Sequence, residues 1–149
     1  MPPDWSLVTA GPSPYLREKR VENAYDIPLE VEITNKSGQP TLVSRSNARN
    51  LLYSFSQMVA HHTITGRNLR TGDLLGSGTI SSTEPKTEGS LLEQMNGKAP
   101  LKLAHGSNRP FLEDGDTVVL RGVAGTDGNC VGFGACVGTI LPPVKLWLK

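Results

Sequence analysis

Between Asp26 and Asn35 apolar and polar side chains alternate, with Ile27, Leu29, Val31 and Ile33 on one face and Pro28, Glu30, Glu32 and Thr34 on the other. A period of two is that of a half-buried strand. "KSGQP" then predicts a turn, and "TLVSR" the second strand of a hairpin. The period changes in "SNARNLLYSFSQMVAHHTITG", where Leu51, Leu52, Phe55, Met58, Val59 and His62 recur at helical spacing. This stretch predicts one helix, with Ser46 as its N-cap and Gly66 as its stop.

Beyond Gly66 the pattern is that of β structure. Leu74, Leu75 and Ile80 predict a buried strand, interrupted by Gly76, Ser77, Gly78 and Thr79. Glycine in a strand marks the close approach of another backbone or of a ligand, so a neighbour is expected at this point. "SSTEPKTEG" reads as a polar turn region, and "SLLEQMNG" as a short strand ending in the hairpin signal Asn96-Gly97. "FLEDGDTVVLRGVAG" predicts a turn at Glu113 to Asp116 and then a strand. "TDGN" turns again, and "CVGFGACVGTILPP" is a last, glycine-rich strand. The expected fold class is α+β, mostly β: one main helix over a twisted, mostly antiparallel sheet.

Composition narrows the functional classes. A chain of 149 residues is long enough for one domain with its own core. Sixteen glycines and eleven prolines favour turns and short strands over a helix bundle. A net charge of +1, with both signs mixed along the chain, lacks the clustered Lys and Arg of a nucleic-acid footprint. No apolar run reaches the ~18 residues of a membrane span. The opening residues lack the basic and apolar regions of a secretory signal, so a cytoplasmic location is expected. Cys130 and Cys136 share one segment. On a single strand they stand about 20 Å apart, beyond the roughly 7 Å that a disulfide tolerates, so two free, buried thiols are expected.

Candidate chemistry is sparse. Glu30 and Glu32 share a strand face and can in principle share a cation, although the solvent side of an amphipathic strand looks the same. His61 and His62 are neighbours on a helix and diverge by about 100 degrees, so they do not readily share an ion. Their place in the last helical turn is itself favourable for imidazolium, and His62 is the one expected to face the core. His105 stands alone beside Gly106. Phosphate loops, metalloprotease helices, nucleophile elbows and Cys-x-x-Cys pairs are all missing. Glu93 differs from these, because it follows Leu91 and Leu92 in a segment that reads as buried. A buried carboxylate needs a partner or its pKa rises, and such groups occur both in catalytic sites and in structural ion pairs.

Taken in order, "RSNARNLLYSFSQMVAHHTITGRNLRTGDLLGSGTISSTEP", "EGSLLE", "FLEDGDTVVLRG" and "GFGACVGTILP" resemble the C-terminal part of the catalytic domain of the fumarylacetoacetase family. The resemblance runs from about residue 14 to 143, with 1–13 as an extended lead-in and 144–149 as a tail. It implies part of a mixed β-sandwich or roll. It also implies a hydrolase that splits the C–C bond of 4-fumarylacetoacetate, a 1,3-diketo acid, into fumarate and acetoacetate in tyrosine and phenylalanine breakdown. In that family a Mg2+ or Ca2+ ion acts as Lewis acid, and a histidine oriented by a glutamate deprotonates the attacking water.

Carried over residue by residue, the resemblance makes Thr79 a substrate-binding residue and Glu93 the glutamate that orients the histidine. The family's histidine, acidic metal ligands and substrate-loop Arg, Gln and Lys precede the equivalent of Pro14, so no metal ligand is expected in this chain. The pair Glu30 and Glu32 matches a later strand than the family's metal-binding Glu-x-Glu. His61 and His62 match a position other than the catalytic histidine. "QMNGK" replaces an aromatic-rich family segment, and the tail "VKLWLK" departs from the pattern. Two functions therefore stand: a diketo-acid hydrolase, or a non-catalytic truncated or split-gene homologue acting as a partner subunit or remnant. A homodimer, or association with the missing half or a full-length relative, is the partner expectation. Exposed strand edges and apolar surface are expected with it.

Overall fold

The fold was analysed in a computed structural model, in which residues 12–19, 24–95, 100–104, 108–126 and 128–144 are described. Its main feature is a four-stranded sheet of β1 (Pro28–Thr34), β2 (Pro40–Asn47), β5 (Thr117–Thr126) and β6 (Asn129–Thr139). The order is β2-β1-β5-β6, and every neighbouring pair is antiparallel. Between β2 and β5 lie helix α1 (Phe55–Thr63), the short helix α2 (Leu91–Met95), and a two-stranded sheet of β3 (Leu101–Lys102) and β4 (Asn108–Arg109). The α+β, mostly β class is as the sequence predicts.

The alternating stretch forms β1, and its hairpin with β2 runs in the register Pro28 to Asn47 through Thr34 to Pro40. Ile33 and Val43 are buried together with Leu103, and Val31, Leu91, Leu112 and Val118 pack around them. The other buried hydrophobics among the described residues are Leu16, Ala48 and Leu51. The core is thus small and sits over the β1–β2 side of the sheet. On the β5–β6 side Leu120, Val131, Phe133 and Val137 stay exposed. The turn into β5 forms where expected. The Asp116 N–H donates to the Glu113 carbonyl at 2.9 Å, and the Asp116 carboxylate accepts the Glu113 N–H at 2.8 Å.

Four expectations are corrected. The helix starts at Phe55, and Ser46 is not its cap. Strand pairing continues to Asn47, a 3-10 turn occupies Ala48–Asn50, and Ser54 caps α1 in a reciprocal box with Gln57. "DLLGSGTI" is irregular and joins no sheet. With no strand beside it to cover the chain, Leu74 is 97% exposed and Leu75 is also exposed. The segment "SLLEQ" is helical, because the Ser90 hydroxyl accepts the Glu93 N–H at 3.2 Å and the Ser90 carbonyl accepts the Gln94 N–H at 3.2 Å. Cys130 and Cys136 are free, as expected, but exposed, because β6 has a paired strand on only one side and cover on neither face. Asn96-Gly97, His105, residues 1–11 and 145–149 lie outside the described residues.

Candidate functional site

The edge strand β2 gives the site its foundation. An edge strand carries unpaired backbone groups, which are usually covered or blunted. Here the covering is the segment that follows the irregular stretch. Ser46 Oγ donates to the Ile80 carbonyl at 2.8 Å, the Arg45 N–H to the Lys86 carbonyl at 2.9 Å, and Ser44 Oγ to the Glu88 carbonyl at 2.8 Å. Gln94 Nε2 adds a bond to the Val43 carbonyl at 3.0 Å and draws α2 against the same strand. Residues 80–89 are therefore laid along β2, and the start of α2 is brought back beside Thr79 and Ser81.

This folding back puts Thr79 and Glu93 in contact. Thr79 Oγ1 donates to Glu93 Oε1 at 3.0 Å, and the Ser81 hydroxyl donates to Oε2. Gly89 N–H lies 3.3 Å from Oε2. The Glu93 carboxyl is consequently held below its ordinary value, first by Ser81, then by Thr79, with smaller help from Gly89 and Ser90 against a partial desolvation. Such a group is an ionised acceptor through the neutral range. Of the two alternatives for a buried carboxylate, a partner or a raised pKa, the structure has the partner, and the residue is half-buried rather than buried.

Glu93 and Thr79 open onto a cleft of about 420 Å³. Ser77 and Ser81 share its hydroxyl wall, and Asn50, Leu51, Leu52, Tyr53, Met58 and Ile80 supply the remainder. Ser77, Thr79 and Ser81 stand at every second position of one segment, and all three line the cleft. That alternation was readable in the sequence. So was the Ser-x-x-Glu capping pattern of Ser90 and Glu93, which signals a helix start.

No other part of the chain makes the close approach at Gly76 or Gly78, where a Cβ would meet nothing within 4 Å. Gly78 instead has φ 76°, in the left-handed region that favours glycine. The crowded glycine is Gly89, where a Cβ would stand 2.7 Å from the Ile80 nitrogen and 2.9 Å from Thr79 Cβ.

The other candidates lie elsewhere. Glu30 pairs with Arg45 at 2.8 Å and Glu32 pairs with Arg121, so the two carboxylates face arginines rather than a shared ion. His61 Nδ1 bonds Tyr15 OH at 2.9 Å beneath a stacked ring, while His62 is half-buried. Neither histidine lines the cleft. Among the described residues no group of three or more His, Cys, Asp or Glu is placed to hold a metal.

Comparison with known proteins agrees with the motifs. Residues 8–141 match the family model described as fumarylacetoacetate (FAA) hydrolase C-terminal. The chain belongs to the fumarylacetoacetate hydrolase family. It is 78% identical over 133 residues to the fumarylacetoacetase fahA of Aspergillus fumigatus, covering 89% of this chain and 31% of that protein. It is 75% identical to the Emericella nidulans fumarylacetoacetase over 89% of this chain and 31% of that one. Against the Homo sapiens fumarylacetoacetase it is 41% identical over 88% of this chain and 32% of the relative. The chain thus spans about a third of the length of these family members.

No helix among the described residues is long and apolar enough to cross a membrane.

Proposed function

We propose that this chain supplies one wall of a fumarylacetoacetase-type active site, in which a 1,3-diketo acid such as 4-fumarylacetoacetate is hydrolysed at a C–C bond. The observation that carries the reading is the contact between Thr79 and Glu93 at the mouth of the cleft. Thr79 lies where a bound diketo acid would meet the hydroxyl wall. Glu93, ionised and fixed, accepts an imidazole N–H and holds that ring in the tautomer whose other nitrogen takes a proton from water. A divalent ion, magnesium or calcium in the family, would polarise the diketone. The described residues do not fit such an ion, because Glu30 and Glu32 are committed to arginines and Glu93 to hydroxyls. Its ligands, like the imidazole, would come from outside the described residues.

A second reading is favoured by the lack of a metal-binding cluster among the described residues. In it the chain is a non-catalytic subunit or remnant that associates with a longer relative. The deciding experiment follows the enol absorbance of fumarylacetoacetate with purified chain and added magnesium or calcium, beside Glu93→Ala. Metal-dependent turnover that is lost in Glu93→Ala supports the hydrolase. A folded sample without turnover rejects hydrolysis by the chain alone; turnover restored by adding a longer relative, and lost again with Glu93→Ala, then supports the wall, while a complex whose turnover is indifferent to Glu93→Ala selects the second reading.

A further inference from the structure

The Glu93 carboxylate has two oxygens, and the fold treats them differently. Oε1 receives one hydroxyl, from Thr79 at 3.0 Å, and keeps a lone pair for a further donor; Thr79, Ser81 and Glu93 all line the cleft. Oε2 receives the Ser81 hydroxyl and the Gly89 N–H at 3.3 Å. The same Gly89 N–H donates to Ser81 Oγ at 2.9 Å. Ser81 Oγ therefore accepts from the backbone while its own proton goes to the carboxylate, which fixes the direction in which it donates.

We infer that Ser81, backed by the Gly89 backbone, is a positioning residue: it ties down Oε2 and so presents Oε1 of Glu93 to whatever group enters the cleft. Terminal carboxyl torsions are broad and nearly two-fold, so an untied glutamate exchanges its oxygens and swings. Three further features serve the clasp. Ser81 stands two residues after Thr79, and the two hydroxyls each take one oxygen of the carboxylate. The returning loop is closed by Ser82 and Thr87, whose hydroxyls lie 2.8 Å apart, and β2 grips it at Lys86 and Glu88. Residue 89 has no room for a side chain, because a Cβ would press on Thr79 Cβ at 2.9 Å. Glycine at this position keeps the N–H within reach of both Ser81 and Glu93.

This inference rests on Glu93 being the working carboxylate of the proposed site. Its test is arranged so that the two can fail separately. The Glu93 side-chain carboxyl is titrated by carbon NMR in the full chain, in wild type, Ser81→Ala, Ser81→Thr, Gly89→Ala and Ser82→Ala. Loss of the Ser81 hydroxyl, or displacement of the Gly89 N–H, is expected to move the Glu93 titration up toward that of an ordinary glutamate. Ser81→Thr keeps a hydroxyl and is expected to stay with wild type. Ser82→Ala loosens the same loop without touching Glu93 and is also expected to stay. An unmoved titration in Ser81→Ala overturns the inference, as does an equal shift in Ser82→Ala.

Where turnover is measurable, Ser81→Ala is expected to lower kcat by about tenfold to a hundredfold and leave KM in place. A change confined to KM would make Ser81 a substrate contact and overturn the positioning role. Absence of turnover in wild type rejects hydrolysis by this chain, while the titration still decides what Ser81 does.

Discussion

Glu93 shows how little geometry is needed to change a carboxylate. Glu30 and Glu32 carry the same group and sit against arginines, yet both pairs are solvent-facing, where ion pairs contribute about 0–1 kcal/mol. Glu93 is held by two hydroxyls and a backbone amide instead. Its folded pKa lies below the 4.5 of an ordinary glutamate. A carboxyl whose pKa is depressed on folding stabilises the fold fully above its unfolded value, and that contribution disappears as pH falls through the folded value. The window therefore opens at about pH 4.5 and extends downward. Glu93→Gln has no charge to lose. Its melting temperature is expected to lie below wild type at pH 6 and to converge on it toward pH 3, as followed by calorimetry. Parallel acid limbs would mean that the hydroxyl contacts contribute nothing to stability in solution.

At the scale of elements, local capping and strand pairing together decide where α1 begins. Helical spacing alone extends it back to Ser46, but residues up to Asn47 pair with β1, and the reciprocal bonds of Ser54 and Gln57 set the actual start. Ser54 also donates to Glu18 Oε1 at 2.9 Å, and Gln57 Nε2 donates to the Leu16 carbonyl at 2.7 Å, so the cap fastens the preceding segment too. Ser54→Ala is expected to cost about 1–2 kcal/mol, or roughly 2–4 °C per kcal/mol for a domain of this size. Faster amide exchange in the first turn of α1 should accompany it. Ser46→Ala should leave α1 protected and loosen Ile80 instead, since Ser46 Oγ holds that carbonyl. Equal loss of α1 protection in the two variants would restore Ser46 as the cap.

The same contrast explains what the sequence made legible. The strands β1, β2, β5 and β6 followed from alternation and turn residues, because their pairing partners are near in sequence or obey the same period. Thr79 is marked by resemblance alone, and Glu93 by its place after Leu91 and Leu92 as well as by resemblance. Their contact was hidden, because it depends on residues 80–89 being laid along β2 by Ser44, Arg45 and Ser46. Reading 91–95 as a strand missed the short helix that turns Glu93 toward Thr79. Gly89 gave no local sign of its crowding, which exists only once the loop has returned to Ile80.

At the scale of the whole molecule, the two edges of the sheet differ. The β2 edge is covered by the site loop and by α2. Among the described residues β6 pairs with β5 alone, and its residues "NCVGFGACVGT" include no charge and no proline. Edges in native proteins are usually blunted by Lys, Pro or a covering element. Beside this edge the sheet face is also apolar. Leu29 and Phe133 come together over Gly122, where a Cβ would meet them at 3.2 and 3.3 Å, and Val131 and Phe133 are each 64% exposed. A long, uncharged edge next to an uncovered apolar face is a template for pairing with another strand. The isolated chain is therefore expected to associate in a concentration-dependent way, measurable by analytical ultracentrifugation. Val131→Lys places a charge on the open strand, where the side chain has little packing to lose, so stability should change by no more than about 0.5 kcal/mol while association weakens. A wild-type chain that sediments as a monomer across the accessible concentrations, with a cooperative melt, would show that the edge is silent. Association untouched by Val131→Lys would place the contact on another surface.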